Sequence, residues 1–117
     1  VERVAHVLND GQPHDILIVG AGPIGLSVLD ALNAAGHCCA VADVAPARLA
    51  FCATHPGVSA TALADERLPD ALNATFGGRG PDVIFDATGN RASMLRCLEL
   101  AEQGGHIVFV GLFQGDL

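Results

Sequence analysis

Short runs of consecutive apolar residues alternate along the chain with longer segments whose apolar residues recur every three or four positions. The short runs predict strands covered on both faces, as in a parallel sheet, and the longer segments predict amphipathic helices. The predicted strands are 16–19, 38–42, 58–60, 83–85 and 107–110. The predicted helices are 1–8, 23–35, 46 to about 54, 69–76 and 91–103, the last with Asn90 as its N-cap.

The order of these elements determines the expected fold. Strands that alternate with helices predict an α/β fold with a doubly wound parallel sheet of about five strands in the order 3-2-1-4-5. The switch point then lies between the first and fourth strands, and a ligand is expected at the carboxyl ends of the strands there. Residues 1–117 are expected to form one domain that lacks a sixth strand.

A glycine-rich turn follows the first predicted strand, with Gly20, Gly22 and Gly25 in the spacing Gly-x-Gly-x-x-Gly. Gly20 permits the tight turn, Gly22 lets the backbone approach a pyrophosphate, and Gly25 lets the helix pack closely on the strand. Pro23 fits the first turn of that helix, whose N-terminus favours phosphate through free N–H groups and its dipole. Together with Asp43 at the end of the second strand, the pattern predicts a Rossmann-type dinucleotide site.

Asp43 lies where a carboxylate accepts hydrogen bonds from the hydroxyls of an adenosine ribose. Its charge would repel the 2′-phosphate of NADP, and no arginine directly follows it among Val44, Ala45 and Pro46. NAD is therefore expected in preference to NADP. The alternative is that Asp43 only caps the next helix. Arg48, one turn into that helix, either points back over the ribose or is a solvated surface residue.

Two further segments follow predicted strands at the same edge of the sheet. Their candidate binding residues are Ala87, Thr88, Gly89, Val110, Gly111 and Leu112. The first three are small enough to leave room for adenine or ribose, although an ordinary strand-to-helix turn is the alternative. The last three end the fifth strand, where the nicotinamide half of a dinucleotide would lie.

The composition argues against several classes of partner and of catalytic group. The net charge of −7 argues against nucleic acid or an anionic membrane as partner. No apolar run reaches the roughly 18 residues of a membrane span, and no secretion signal is expected. All six basic residues are arginines and tyrosine is absent, so a Tyr-x-x-x-Lys pair and a Schiff-base lysine are excluded. The four cysteines, Cys38, Cys39, Cys52 and Cys97, are expected to be reduced and packed, as in a cytoplasmic protein.

Neither a metal site nor an acid–base pair is predicted within the chain. The five histidines are scattered among loops and strand starts. Asp82 and Asp86 flank one apolar strand, but four residues of strand separate them by about 13 Å. We expect both carboxylates to be solvated strand ends, and we assign no catalytic residue to this chain.

Four segments together resemble the cofactor-binding domain of medium-chain, zinc-type alcohol dehydrogenases. They are residues 19–26 (VGAGPIGL), 41–49 (VADVAPARL), 82–90 (DVIFDATGN) and 104–112 (GGHIVFVGL). The last two are specific to this family, whereas the glycine turn also occurs in flavoproteins. Residues 87–90 with 109–112 are similar to the sorbitol, threonine and sugar-acid dehydrogenase branch.

The resemblance implies an NAD-dependent oxidoreductase that transfers hydride between a secondary alcohol and NAD, with zinc polarising the alcohol oxygen. It implies that Arg48 touches the adenosine ribose. It also implies that the amide of Ile24 carries much of the pyrophosphate contact, because Pro23 has no N–H. The zinc-binding catalytic domain of the family has no counterpart in this sequence, so the chain alone is expected to bind NAD and to be catalytically inactive.

Other functions and a partner remain open at this point. The FAD-binding half of a flavoprotein would use the same glycine turn but favours a glutamate where this chain has Asp43. A non-catalytic NAD-sensing module and, more remotely, a methyltransferase are further alternatives.

Residues 106–112 are expected to form an apolar strand at the edge of the sheet. Unpaired backbone N–H and C=O groups on such an edge are a template for strand addition. We therefore expect a homo-oligomer that forms through this edge.

Overall fold

The computed structural model describes residues 8–110 and shows one parallel sheet with helices on both faces. The strand order is β3-β2-β1-β4-β5, as the sequence predicted. The strands are β1 (Ile16–Val19), β2 (Cys39–Asp43), β3 (Val58–Leu63), β4 (Val83–Asp86) and β5 (His106–Phe109). The helices of this part of the chain are α1 (Pro23–Ala34), α2 (Pro46–Cys52), α3 (Leu68–Thr75) and α4 (Arg91–Leu100). The expected helix 1–8 lies outside the described residues except for Leu8, which is buried.

Several element boundaries differ from the predictions by one or two residues, and the two larger differences have visible physical reasons. Strand β3 extends to Leu63 because alternate residues face solvent at the sheet edge, so polar Ser59 and Thr61 interrupt its apolar run without ending it. Helix α4 ends at Leu100, because Ala101 adopts extended backbone and the N–H of Glu102 donates to the carbonyl of Pro81. The prediction of a helix up to residue 103 was therefore wrong.

The core lies on both faces of the three central strands. Every residue of β1, β2 and β4 is buried, as the continuous apolar runs predicted. One face packs against α1 and α2 through residues such as Leu29 and Leu49. The other packs against α3 and α4 through Leu68, Leu72 and Cys97. Within residues 8–110, no helix is both long enough and apolar enough to cross a bilayer.

The cysteines are free thiols. Cys39, Cys52 and Cys97 are buried, whereas Cys38 is exposed because β2 begins one residue after it. The expectation that all four are packed was thus wrong for Cys38. Burial raises the pKa of Cys39 to about 12 and is the main cause of a similar pKa at Cys97, so both thiols stay protonated at neutral pH.

A charged cluster joins the amino ends of β1 and β4. The Nδ1 atom of His14 lies 2.7 Å from Oδ2 of Asp82, and its Nε2 lies 2.9 Å from Oδ1 of Asp10. The other oxygen of Asp82 accepts the N–H of Asp15 at 2.7 Å. Asp82 therefore ties the two strands together, and the expectation that it is merely a solvated strand end was wrong.

This cluster predicts a pH dependence of stability. Only the imidazolium form of His14 donates from both ring nitrogens, and the hydrogen bond to Asp82 is the main cause of its raised pKa. Because the pKa of His14 is higher in the folded than in the unfolded state, its hydrogen bonds contribute fully to stability below the unfolded pKa of about 6.5. This contribution is lost as pH rises through the pKa of His14 in the folded state. Urea unfolding is therefore expected to show a free energy that declines above about pH 6.5. His14→Gln should remove this decline, whereas the matched change of exposed His106, His106→Gln, should preserve it.

Candidate functional site

The turn between β1 and α1 is shaped by Gly20. Its φ of +99° is unfavourable for other residues, and its N–H donates to the carbonyl of Ala42 at 2.8 Å. A Cβ at this position would lie 3.1 Å from the methyl group of Thr88. The turn after β1 therefore packs directly against the turn after β4, so both border the switch point.

Gly25 is required by close packing. A Cβ there would lie 1.8 Å from the carbonyl oxygen of Gly20 and 3.6 Å from Cγ2 of Ile18. The absence of a side chain at Gly25 therefore lets α1 pack closely against the turn that follows β1.

The N-terminus of α1 leaves backbone donors without a partner. Pro23 occupies the first turn, and no side chain caps the helix at Gly22. Among the residues described, the N–H groups of Gly22, Ile24 and Gly25 have no hydrogen-bond acceptor, and the first helical bond is donated by Leu26 to Gly22. These donors, at the positive end of a helix dipole, suit an anionic group.

Asp43 connects the end of β2 to the glycine turn. Its carboxylate is buried; Oδ2 accepts the N–H of Ala21 and Oδ1 accepts the N–H of Ala45, each at 2.7 Å. Arg48 points back towards it, with Nη1 3.7 Å from Oδ2, although the arginine side chain is 58% exposed. The carboxylate thus organises both the turn and the start of α2 while it borders the cavity described below.

Asp86 is buried, with 1% of its surface exposed, so the prediction that it is a solvated strand end was wrong. Its Oδ1 accepts both the N–H of Thr88 at 2.9 Å and the Thr88 hydroxyl at 2.6 Å, while the Cys97 thiol lies 3.6 Å from Oδ2. Asp86 therefore fixes the Thr88 turn. No sequence signal distinguished it from Asp82, because its partners come from the turn and from α4.

The remaining candidate residues that the structure describes lie at the same edge. Gly89 has a φ of +63°, and the side chain of Asn90 accepts the N–H of Ser93, as expected for the N-cap of α4. Ala87 is half-buried in the turn after β4. Val110 donates its N–H to the carbonyl of Asp86 at 2.8 Å. Gly111 and Leu112 lie outside the described residues.

An open cavity of about 470 Å³ joins these parts. Gly20, Gly22, Asp43, Ala87 and Thr88 line it, whereas the predicted site residues Ile24, Gly25, Gly89 and Val110 do not. The cavity continues between the end of β3 and helix α4, where Leu68 and Arg96 line it. Its volume falls within the range of small-molecule sites, about 300–1,000 Å³.

The described residues offer no metal site. No group of three His, Cys, Asp or Glu side chains converges anywhere in 8–110. The donor set therefore does not fit zinc, and we derive no step of this site through a metal.

Comparisons with known proteins agree with this geometry. A family model described as zinc-binding dehydrogenase matches residues 23–117. The chain is 41% identical over 102 residues to L-galactonate-5-dehydrogenase of Escherichia coli K12, covering 87% of this chain and 30% of that protein. It is 39% identical over 105 residues to a putative D-xylulose reductase of Agrobacterium fabrum. That match covers 86% of this chain and 29% of the reductase.

A solved structure extends the comparison to a bound cofactor. A short chain alcohol dehydrogenase from E. coli CFT073, in complex with NADH, matches with a TM-score of 0.70 and 28% identity. The match covers 90% of this chain and 32% of that one. This chain thus spans about 30% of the length of the curated relatives named above.

These matches confirm the family resemblance found in the sequence. The relatives are polyol, sugar-acid and threonine dehydrogenases, the branch that residues 87–90 and 109–112 indicated. This chain therefore belongs to the zinc-binding dehydrogenase family.

Proposed function

We propose that this chain is the NAD(H)-binding domain of an alcohol or polyol dehydrogenase. The observation that carries the proposal is that Gly22, whose N–H is free at the start of α1, and the buried Asp43 carboxylate line one cavity. A dinucleotide needs both features, donors for its pyrophosphate and an acceptor for its ribose hydroxyls. The NADH complex of a relative supports the same assignment.

The residues present fit such a ligand. The N–H groups of Gly22, Ile24 and Gly25 are available to phosphate oxygens, and the absence of a Cβ at Gly22 keeps the approach open. A carboxylate accepts about four hydrogen bonds, so Asp43 can bind ribose hydroxyls while it keeps its bonds to Ala21 and Ala45. When bound, the nicotinamide ring accepts or donates hydride.

The preference for NAD over NADP is part of this proposal. A 2′-phosphate would meet the buried negative charge of Asp43, whose desolvated position makes repulsion costly. Arg48 lies 3.7 Å from that carboxylate and offsets part of its charge. Because the arginine is mostly exposed and screened, we give Asp43 the larger effect.

We propose that the full-length enzyme, of which this domain is a part, supplies the catalytic residues. The same enzyme would bind the substrate alcohol and the zinc that activates it. Since the chain covers about 30% of its curated relatives, we propose that substrate specificity comes from regions of such proteins that this chain does not match. Alone, the chain is proposed to bind cofactor without catalysing alcohol oxidation. A non-catalytic NAD-sensing role of the same site remains the alternative.

Location and self-association are further proposals. Free thiols and a nicotinamide cofactor favour the cytoplasm, and the negative charge disfavours nucleic acid and membranes as partners. We propose that copies associate along β5, which is an edge of the described sheet. Ile107 and Val108 pack against the core. Phe109 is 38% exposed, so it provides apolar surface on β5 for contact with a second copy.

The cofactor proposal is tested by titration. NADH should bind in the micromolar to millimolar range and more tightly than NADPH, because only NADPH brings a 2′-phosphate to Asp43. The chain has no tryptophan or tyrosine, so enhancement of the cofactor's own fluorescence reports binding directly. An absence of NADH binding by folded chain would refute the function, and equal or tighter binding of NADPH would refute the preference.

A further inference from the structure

Helix α4 presents a stripe of five residues to the cavity. They lie on one face of the helix and are Ala92, Ser93, Arg96, Cys97 and Leu100. Four of these side chains are small or apolar. Arg96 is the cation of this stripe, and the sequence motifs gave it no role.

The guanidinium of Arg96 is held in place but not saturated. Its Nη2 donates to the carbonyl oxygen of Asp65, which follows β3, and that oxygen also accepts the N–H of Leu68 at 3.1 Å. This contact fixes the arginine across the cavity from α4 to the end of β3. Among the described residues it has no carboxylate partner, although a guanidinium has five N–H donors.

The surroundings of Arg96 suit a flat, uncharged ring better than a phosphate. The apolar residues Ala64, Leu68 and Leu100 line the same cavity as its side chain. Asp43, the proposed ribose acceptor, lies on the same cavity nearer the glycine turn. A ligand held at Asp43 and extending away from the turn would therefore place its base between β3 and α4.

We infer that Arg96 is a specificity-determining residue that selects a purine base, the adenine of the dinucleotide. This inference rests on the proposed function of the site. A planar guanidinium stacks on aromatic faces, and the two fused rings of adenine offer it a larger face than a pyrimidine does. The hydrogen bond to Asp65 holds the arginine in place before the ligand arrives, so little side-chain entropy is lost on binding.

The test compares ADP with UDP as competitors of NADH, because the two share ribose and diphosphate and differ only in the base. The wild-type chain should bind ADP more tightly than UDP. Arg96→Met should weaken ADP roughly tenfold, within the range of cation–π contacts, and leave UDP nearly unchanged. Arg91→Met is the matched control on the same helix, since Arg91 is exposed and does not line the cavity.

A second variant of Arg96 distinguishes an effect on the stability of the fold from an effect on recognition of the base. Arg96→Lys keeps a donor for the Asp65 carbonyl but loses the planar group, so it should retain the thermal unfolding midpoint and still lose most of the preference for ADP. An unchanged ADP-to-UDP ratio in both Arg96 variants would overturn the inference, including the case in which both ligands weaken equally. A folded wild-type chain that binds no NADH would instead refute the proposed function, and the inference with it.

Discussion

Gly25→Ala is expected to destabilise the fold by about 3 kcal/mol or more and to abolish NADH binding, because the new methyl group has no space. Its carbon would lie 1.8 Å from the carbonyl oxygen of Gly20 and 2.9 Å from its carbonyl carbon. Both are backbone atoms of the turn that carries the free N–H groups. Relief requires α1 to move away from β1, which takes those donors out of place.

Gly22→Ala should separate binding from folding. The backbone φ of Gly22 is −79°, and a Cβ there would approach only Nη1 of Arg48, at 4.0 Å, so stability should be nearly unchanged. The same methyl group would stand where the pyrophosphate is proposed to approach. We expect NADH affinity to fall at least tenfold with the unfolding free energy preserved.

Gly36→Ala is the matched control for both variants. Gly36 has a φ of +88° with no atom within 4 Å of an added Cβ, so its cost is the backbone strain alone, about 1–2 kcal/mol. Denaturant unfolding and NADH fluorescence titration on the three variants make the comparison. If Gly25→Ala is as stable as Gly36→Ala, or if Gly22→Ala binds NADH like wild type, the assigned roles of the turn are wrong.

Several structural roles that depend on neighbouring residues could be predicted from the sequence. Continuous apolar residues gave the bounds of β1, and the glycine spacing located the turn because its geometry depends on residues within one short segment. Asp43 was found because it ends an apolar run at a fixed distance from that turn. These features are local, so a single chain without its structure reveals them.

Contacts between distant segments were not accessible in this way. Asp82 and Asp86 look alike in the sequence, yet Asp82 binds His14, 68 residues away, and Asp86 lies 3.6 Å from the thiol of Cys97 on α4. Arg96 became a candidate only when the fold placed α4 across the cavity from the end of β3. Such roles depend on how elements pack, which periodicity does not encode.

Asp43→Asn is expected to weaken NADH binding by about 1–3 kcal/mol, the usual loss for a charged hydrogen-bond partner, and to weaken NADPH much less. The amide can no longer accept from both ribose hydroxyls, but it also no longer repels a 2′-phosphate, and Arg48 is left without its carboxylate. The ratio of NADPH to NADH affinity should therefore rise about tenfold or more.

This ratio distinguishes recognition from a purely structural role of Asp43. The variant also weakens the bonds to the N–H groups of Ala21 and Ala45, so some loss of stability is expected whichever role is correct. A damaged turn would lower the affinity for both cofactors by the same factor, because both share the pyrophosphate. Asp30→Asn is the control, since that exposed carboxylate contacts only His55 among the described residues. An equal loss of affinity for NADH and NADPH would show that Asp43 only stabilises the turn. The proposed preference for NAD would then have no basis in this residue.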